Sequence, residues 1–296
     1  MTARADNLRA AGFVVGAVTF WALGDTTVKL LSERMSIPEI MFLRGLVSIV
    51  LVVALARLGG WQPSWRTLAR PVVLLRGLVE VAVVFAYLFG VANLPIAVAN
   101  TLVFTSPLWG VALGGLVLRE RLGPARIGAV LLGFVGMLFV TDPFGARASW
   151  WVVLPLGAAL LQALGDLITR RIDPSIPTDS ITVTTLVMIT AGGGVAAMRN
   201  LAWPDLPTAG LLVLAAFLVV GAYLCYIRAF RIGEMSFAAP FKYVSIPQTM
   251  LTGWLVWGDV PTAWMLFGAT LIIMAGILIV WQDRPASNLD VGVSPP

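Results

Sequence analysis

A membrane-crossing helix needs about 20 mostly apolar residues, and ten stretches of this chain meet or approach that length. They run from about Ala10 to Leu31, Pro38 to Ala56, Pro71 to Val91, Pro95 to Leu118 and Ala125 to Val140. A second set runs from Trp150 to Thr169, Ile181 to Met198, Thr208 to Arg228, Met235 to Val256 and Thr262 to Trp281. Short connections marked by Pro or Gly separate them, such as Asn93-Leu94-Pro95 and Leu122-Gly123-Pro124. The first stretch exceeds a signal-peptide core and carries Asp25 and Lys29, so it reads as a retained span. Residues 282–296 are polar and proline-bearing and read as a disordered tail. The pattern predicts an all-α polytopic membrane protein.

The two sets resemble each other. Ile127–Val140 (IGAVLLGFVGMLFV) and Phe267–Val280 (FGATLIIMAGILIV) match at an offset of 140, with Gly128/Gly268 and Gly136/Gly276 among the identical pairs. The tetrapeptide Ala-Leu-Gly-Asp ends at Asp25 and again at Asp166, each followed four residues later by a cation, Lys29 or Arg170. Pro107 and Pro247 also correspond. These landmarks keep their order, so the chain reads as a duplication of residues 10–140 into 150–281. Five spans per copy is an odd number, so the second copy enters from the opposite side. Inverted repeats with a site near the midplane are a signature of secondary transporters.

Composition and charge narrow the classes. Of 296 residues, 59% are hydrophobic and 12% charged, about half the ~25% usual for soluble domains. A soluble enzyme, a nucleic-acid binder and a disulfide scaffold are excluded. The net charge of +5 comes from arginines in short loops. With the N-terminus inside, thirteen Arg fall in inside segments and three (Arg34, Arg147, Arg199) outside. Cytoplasmic loops collect Lys and Arg, so both termini, including the tail, are expected in the cytoplasm and the chain in the inner (plasma) membrane. The absence of His removes zinc-protease and His-relay chemistry. An aspartyl intramembrane protease fails too, because inversion puts Asp25 and Asp166 near opposite faces while a catalytic dyad shares one site. No enzyme, metal or cofactor is expected, Cys225 reads as a small buried hydrophobe, and a monomer suffices.

Two five-helix repeats, each closing in a G-A-x-L…G-x-L-x-V helix, resemble the EamA repeat pair of the drug/metabolite transporter superfamily over essentially Ala10 to Trp281. Within it the chain most resembles aromatic amino-acid exporters of the YddG type. That resemblance implies ten helices around a central cavity, export from the cytoplasm, and broad tolerance among aromatic and other large neutral amino acids. A carrier of drugs or other small metabolites on the same scaffold is the alternative, with a non-transporting receptor or subunit, or an intramembrane enzyme, behind it.

Ionisable groups inside spans are costly and usually face a cavity or a partner. Arg76 and Glu80 share a helix face at i, i+4, as a cavity-facing pair or as a self-neutralising one. Asp25 with Lys29, and Asp166 with Arg170, read either as gates at opposite ends or as interfacial pairs whose cations snorkel. Pro107 and Pro247 fall near mid-span and should kink their helices. Around them lie Asn100, Thr101 and Thr105, and Lys242, Ser245, Gln248 and Thr249 on one face. Lys242 reads as a partner for a substrate carboxylate or as a snorkelling interfacial residue. Tyr87, Tyr223, Trp21 and Trp109 are candidate aromatic walls, whereas Trp257 and Trp281 read as belt residues. Gly12-xxx-Gly16 and Gly110-xxx-Gly114 have the spacing for close helix packing.

Overall fold

The computed structural model describes residues 3–58, 69–117, 124–141, 149–169, 172–173, 176, 178–232 and 239–282. The tail beyond Gln282 and Arg66, Arg119, Arg121, Arg147, Arg170 and Arg171 lie outside them. Among the described residues every regular element is helical. They are α1 (Ala3–Ser32), α2 (Ile37–Leu58), α3 (Pro71–Asn93), α4 (Ile96–Val103), α5 (Ser106–Val117) and α6 (Pro124–Thr141). After a 3-10 turn (Trp150–Val152) come α7 (Val153–Thr169), α8 (Thr178–Ala197) and α9 (Leu206–Ile232). A second 3-10 segment (Ala239–Val244) leads into α10 (Ser245–Trp257), and α11 (Ala263–Gln282) closes the chain.

Six of these helices are long and apolar enough to cross a membrane, and shorter apolar helices cover Ile127–Val140 and Ala263–Leu278. Their outward faces carry exposed Val50, Leu78, Leu131, Phe217 and Phe267. Such a coat suits hydrocarbon and would be an aggregation hazard in water.

Helix ends follow local chemistry. Pro71 opens α3 and Pro124 opens α6, positions where the missing N–H costs nothing. Asp205 caps α9, its Oδ1 accepting from the Thr208 N–H at 3.1 Å. The bonds from Thr208 hold its carboxyl below the usual range. Gly258 stops α10 with φ +71°, and its N–H reaches the Trp254 carbonyl at 3.0 Å.

The fourth span does not kink at Pro107; it breaks one turn earlier. Proline cannot donate and crowds the carbonyl four residues back, here Val103, where α4 ends. The chain crosses the gap by tight bonds, Phe104 N–H to Asn100 at 3.2 Å and Thr105 N–H to Leu102 at 3.1 Å. At Pro247 the residue four back is Tyr243, and the chain there is 3-10, turning α-helical at Ser245. The expected kinks are therefore a break and a 3-10 entry.

Packing repeats itself when the halves are exchanged. Helix α1 packs on α9 as α7 packs on α3; α2 on α9 as α8 on α3; α5 on α7 as α10 on α1. Helix α1 packs on the second 3-10 segment as α7 packs on α4, and the contacts of α2 with α8 and α6 with α11 map onto themselves.

Helices α6 and α11 meet backbone to backbone at two glycines. A Cβ on Gly268 would stand 2.5 Å from the Gly136 carbonyl oxygen, and one on Gly136 would stand 2.7 Å from that of Gly268. The Gly-xxx-Gly expectation is corrected here. Nothing lies within 4 Å of a Cβ at Gly12 or Gly110, and Gly16 meets only the Cys225 sulfur at 3.8 Å.

Candidate functional site

Four elements meet at a chain of hydrogen bonds that all point one way. Ser245 Oγ, the first residue of α10, donates to Asn100 Oδ1 on α4 at 3.1 Å. Asn100 Nδ2 donates to the Tyr87 hydroxyl on α3 at 3.3 Å, and that hydroxyl donates to Asp25 Oδ2 on α1 at 2.5 Å. Arg44 of α2 acts electrostatically on Asp25 and on Tyr223. Asn100, Ser245 and Thr249 are buried. Thr101, also buried, donates its hydroxyl to the Ala97 carbonyl at 2.7 Å.

Beside this chain lies an aromatic cluster. The Trp21 ring meets Tyr223 edge-on at 6.0 Å and Tyr226 at 5.2 Å. Lys242 Nζ donates to the Tyr226 hydroxyl and lies 4.7 Å from the ring centroid. The ammonium group is thus held by an aromatic partner, which the sequence reading of Lys242 lacked. Gln248 Nε2 donates to Thr19 Oγ1 at 2.8 Å, while Gln248 Oε1 is buried without a hydrogen-bond partner. Trp109 stacks edge-on against Phe134 at 4.9 Å, and its Nε1 is also buried without a partner. A buried donor or acceptor left unmatched costs about 1–3 kcal/mol, so both atoms mark places where a ligand could bond.

Toward the far end of α3, Arg76 Nη1 lies 3.1 Å from Glu80 Oε2, with side chains 16% and 12% exposed. Arg76 also donates to Thr169 Oγ1 at 3.3 Å and to Thr185 Oγ1 at 3.4 Å, joining α3 to α7 and α8. Glu80 interacts electrostatically with Asp166, which accepts from Gln162 at 3.5 Å. The pair is thus self-neutralising and also ties helices of both halves together.

At the opposite end the expected Asp25–Lys29 pair does not form. Lys29 Nζ instead donates to the Leu94 carbonyl at 2.7 Å and stands 4.8 Å above the Trp257 ring. A carbonyl at a helix C-terminus carries partial negative charge, and an indole face attracts a cation. Together they outcompete a carboxylate already held by Tyr87. Trp257 is likewise more than a belt residue, since its Nε1 donates to Glu33 Oε1 at 3.0 Å.

The EamA-like transporter family model matches residues 8–142 and matches again over 149–281. The chain belongs to the EamA-like transporter family. A riboflavin transporter of Rhizobium johnstonii is 34% identical over 220 residues, spanning 74% of this chain and 71% of that protein. A riboflavin transporter of Vibrio cholerae is 27% identical over 289 residues, 96% of this chain and 97% of that one. The pseudopaline exporter CntI of Pseudomonas aeruginosa is 27% identical over 278 residues, 90% and 93%. These names differ from the amino-acid substrates that the YddG-type resemblance implied, and they place the protein among transporters of small metabolites rather than enzymes.

Of the residues singled out in the sequence of this EamA-like transporter, Asp25, Tyr87, Asn100 and Ser245 are brought into one network. Trp21, Tyr223 and Lys242 converge on Tyr226 or Trp21. Pro247 is exposed and Asp166 stands apart from the centre, as does Trp109 against Phe134. Arg44 and Thr19 escaped the sequence reading. The signal for Arg44 was present, because a charge inside a span is a functional candidate by default. Thr19 carried none.

Proposed function

We propose that the protein is a secondary transporter that moves a riboflavin-like, planar heteroaromatic metabolite across the plasma membrane by alternating access. In this reading ten spans form two inverted five-helix repeats, 10–140 and 150–281, with both termini cytoplasmic. The α4–α5 pair and the 3-10/α10 pair each count as one span. The exchange-symmetric packing supports duplication. End contacts support the threading, since each joins segments that ten spans put on one face: Lys29 to Leu94, Glu39 to Ala202 at 2.9 Å, and Arg70 to Asp173 at 3.8 Å. A reporter fused after Pro296 should be active only on the cytoplasmic side; periplasmic activity would remove the inversion.

The observation that carries the substrate class is the Trp21–Tyr223–Tyr226 cluster with the unpartnered Gln248 Oε1 one turn beyond Ser245. Aromatic faces suit a flat ring system, and a buried acceptor suits the N–H of a cyclic imide. Stacking of a heteroaromatic ring is worth about 1–3 kcal/mol, so Trp21→Ala should weaken riboflavin binding roughly 5- to 150-fold. Quenching of riboflavin fluorescence by the purified protein measures this directly. Lys242→Met separates the amino-acid reading, because loss of a bond to a charged carboxylate costs about 1.5–3 kcal/mol, roughly 10- to 150-fold. Riboflavin carries no carboxylate and should change far less. Unchanged riboflavin binding in Trp21→Ala, or a large loss of tryptophan binding in Lys242→Met, would return the substrate to the amino acids.

A further inference from the structure

We propose that Asp25 is the proton-coupling site of this transporter, an inference that rests on the transport reading above. The repeat places two aspartates in equivalent positions, but their surroundings differ. Asp166 is exposed and bonded to Gln162, whereas Asp25 is partly buried and terminates the donor chain from Ser245 through Asn100 and Tyr87. Every donor in that chain points toward the carboxylate, so the chain is strongest while Asp25 is ionised. A charge-assisted bond is roughly twice as strong as a neutral one. One proton taken from water onto Asp25 Oδ2 converts that anion to a neutral acid and weakens the Tyr87 bond.

The consequence reaches both halves, because Asn100 lies on α4 just before the first break and Ser245 opens α10 after the 3-10 segment. Loosening the chain at Asp25 frees α1 and α3 from the two interrupted spans, the elements that alternating access must move. Return of the proton to water on the other side re-forms the chain. The groups facing Asp25 fit this role. Arg44 on α2 acts on it only electrostatically, with no ion pair within 4.0 Å among the described residues. Tyr87 on α3 and Asn100 on α4 are the hydrogen-bonding neighbours. Tyr223 and Tyr226 on α9 face Trp21 one turn away, Lys242 is engaged by Tyr226, and Lys29, one turn on, is held by Leu94.

The test uses the full chain in proteoliposomes with labelled riboflavin. An imposed pH gradient should carry riboflavin past its equilibrium level in the wild type, on the acid side for antiport and the alkaline side for symport. Asp25→Asn should lose that driven accumulation while labelled-for-unlabelled exchange stays detectable, and Asp25→Glu should restore part of it. Tyr87→Phe removes a bond to the charged form, so the pH midpoint of driven transport should move upward by about one to two pH units. Wild-type flux indifferent to the gradient, or driven accumulation surviving in Asp25→Asn, would overturn the proposal. Infrared pH-difference spectra of the purified protein give a readout that needs no substrate. A carboxylic-acid band present in the wild type and missing in Asp25→Asn supports the site, and identical spectra overturn it. Absence of any exchange in the wild type would instead strike the transport reading.

Discussion

Gly268→Val should be strongly damaging, lowering the yield of folded protein and its melting temperature in detergent. Its Cβ would stand 2.5 Å from the Gly136 carbonyl oxygen, 2.9 Å from the Phe139 Cβ and 2.9 Å from Val140 Cγ2. Overpacking typically costs about 1–3 kcal/mol when side chains can shift. Here the obstacle includes backbone, so no rotamer relieves it and α6 and α11 must part. The repeat supplies the control. Gly128 is the sequence counterpart of Gly268, yet nothing lies within 4 Å of a Cβ there. Gly128→Ala should therefore leave melting unchanged or raise it slightly, since alanine favours helix by about 1 kcal/mol over glycine. Equal behaviour of the two variants would mean that the α6–α11 seam is misplaced.

Arg76→Met is the second large effect. It leaves the Glu80 carboxylate, 12% exposed, without its ion-pair partner and under the like charge of Asp166. Removing one partner of a buried ion pair costs about 3–5 kcal/mol, because the remaining charge stays uncompensated. Glu80→Gln in the same background removes that charge, so the double variant should recover most of the loss. Thermal unfolding of the two variants and the double measures the coupling. Additive losses would show that Arg76 and Glu80 act independently despite their 3.1 Å separation.

The elements were legible in the sequence because a bilayer demands long apolar helices and the repeat supplies their register. The interruptions were legible only to within a turn. Pro107 reports the carbonyl it crowds, and the chain yields at Phe104 and Thr105 rather than at the proline itself. Partnerships were the hard part. The i, i+4 rule placed Arg76 with Glu80, and they do meet, but the same rule placed Lys29 with Asp25, and they do not. The difference lies outside the helix. Arg76 finds only hydroxyls across from it, whereas Lys29 has the Leu94 carbonyl and the Trp257 face within reach, and Asp25 has Tyr87. Those partners sit 65, 228 and 62 positions along the chain, set by helix rotation and packing that local periodicity does not encode. Gln248 with Thr19 is the same case, two uncharged residues joined across the halves. Lys242 is a further case. A single ammonium on an apolar helix suggested a carboxylate ligand, and the structure gives that ammonium to Tyr226.

The most direct test of the account is counterflow of labelled riboflavin in proteoliposomes holding the purified full chain. Vesicles preloaded with unlabelled riboflavin should take up label transiently and saturably, and Trp21→Ala should raise the concentration needed for half-maximal uptake. Uptake by the wild type no greater than by protein-free vesicles, with labelled tryptophan exchanging normally, would contradict it.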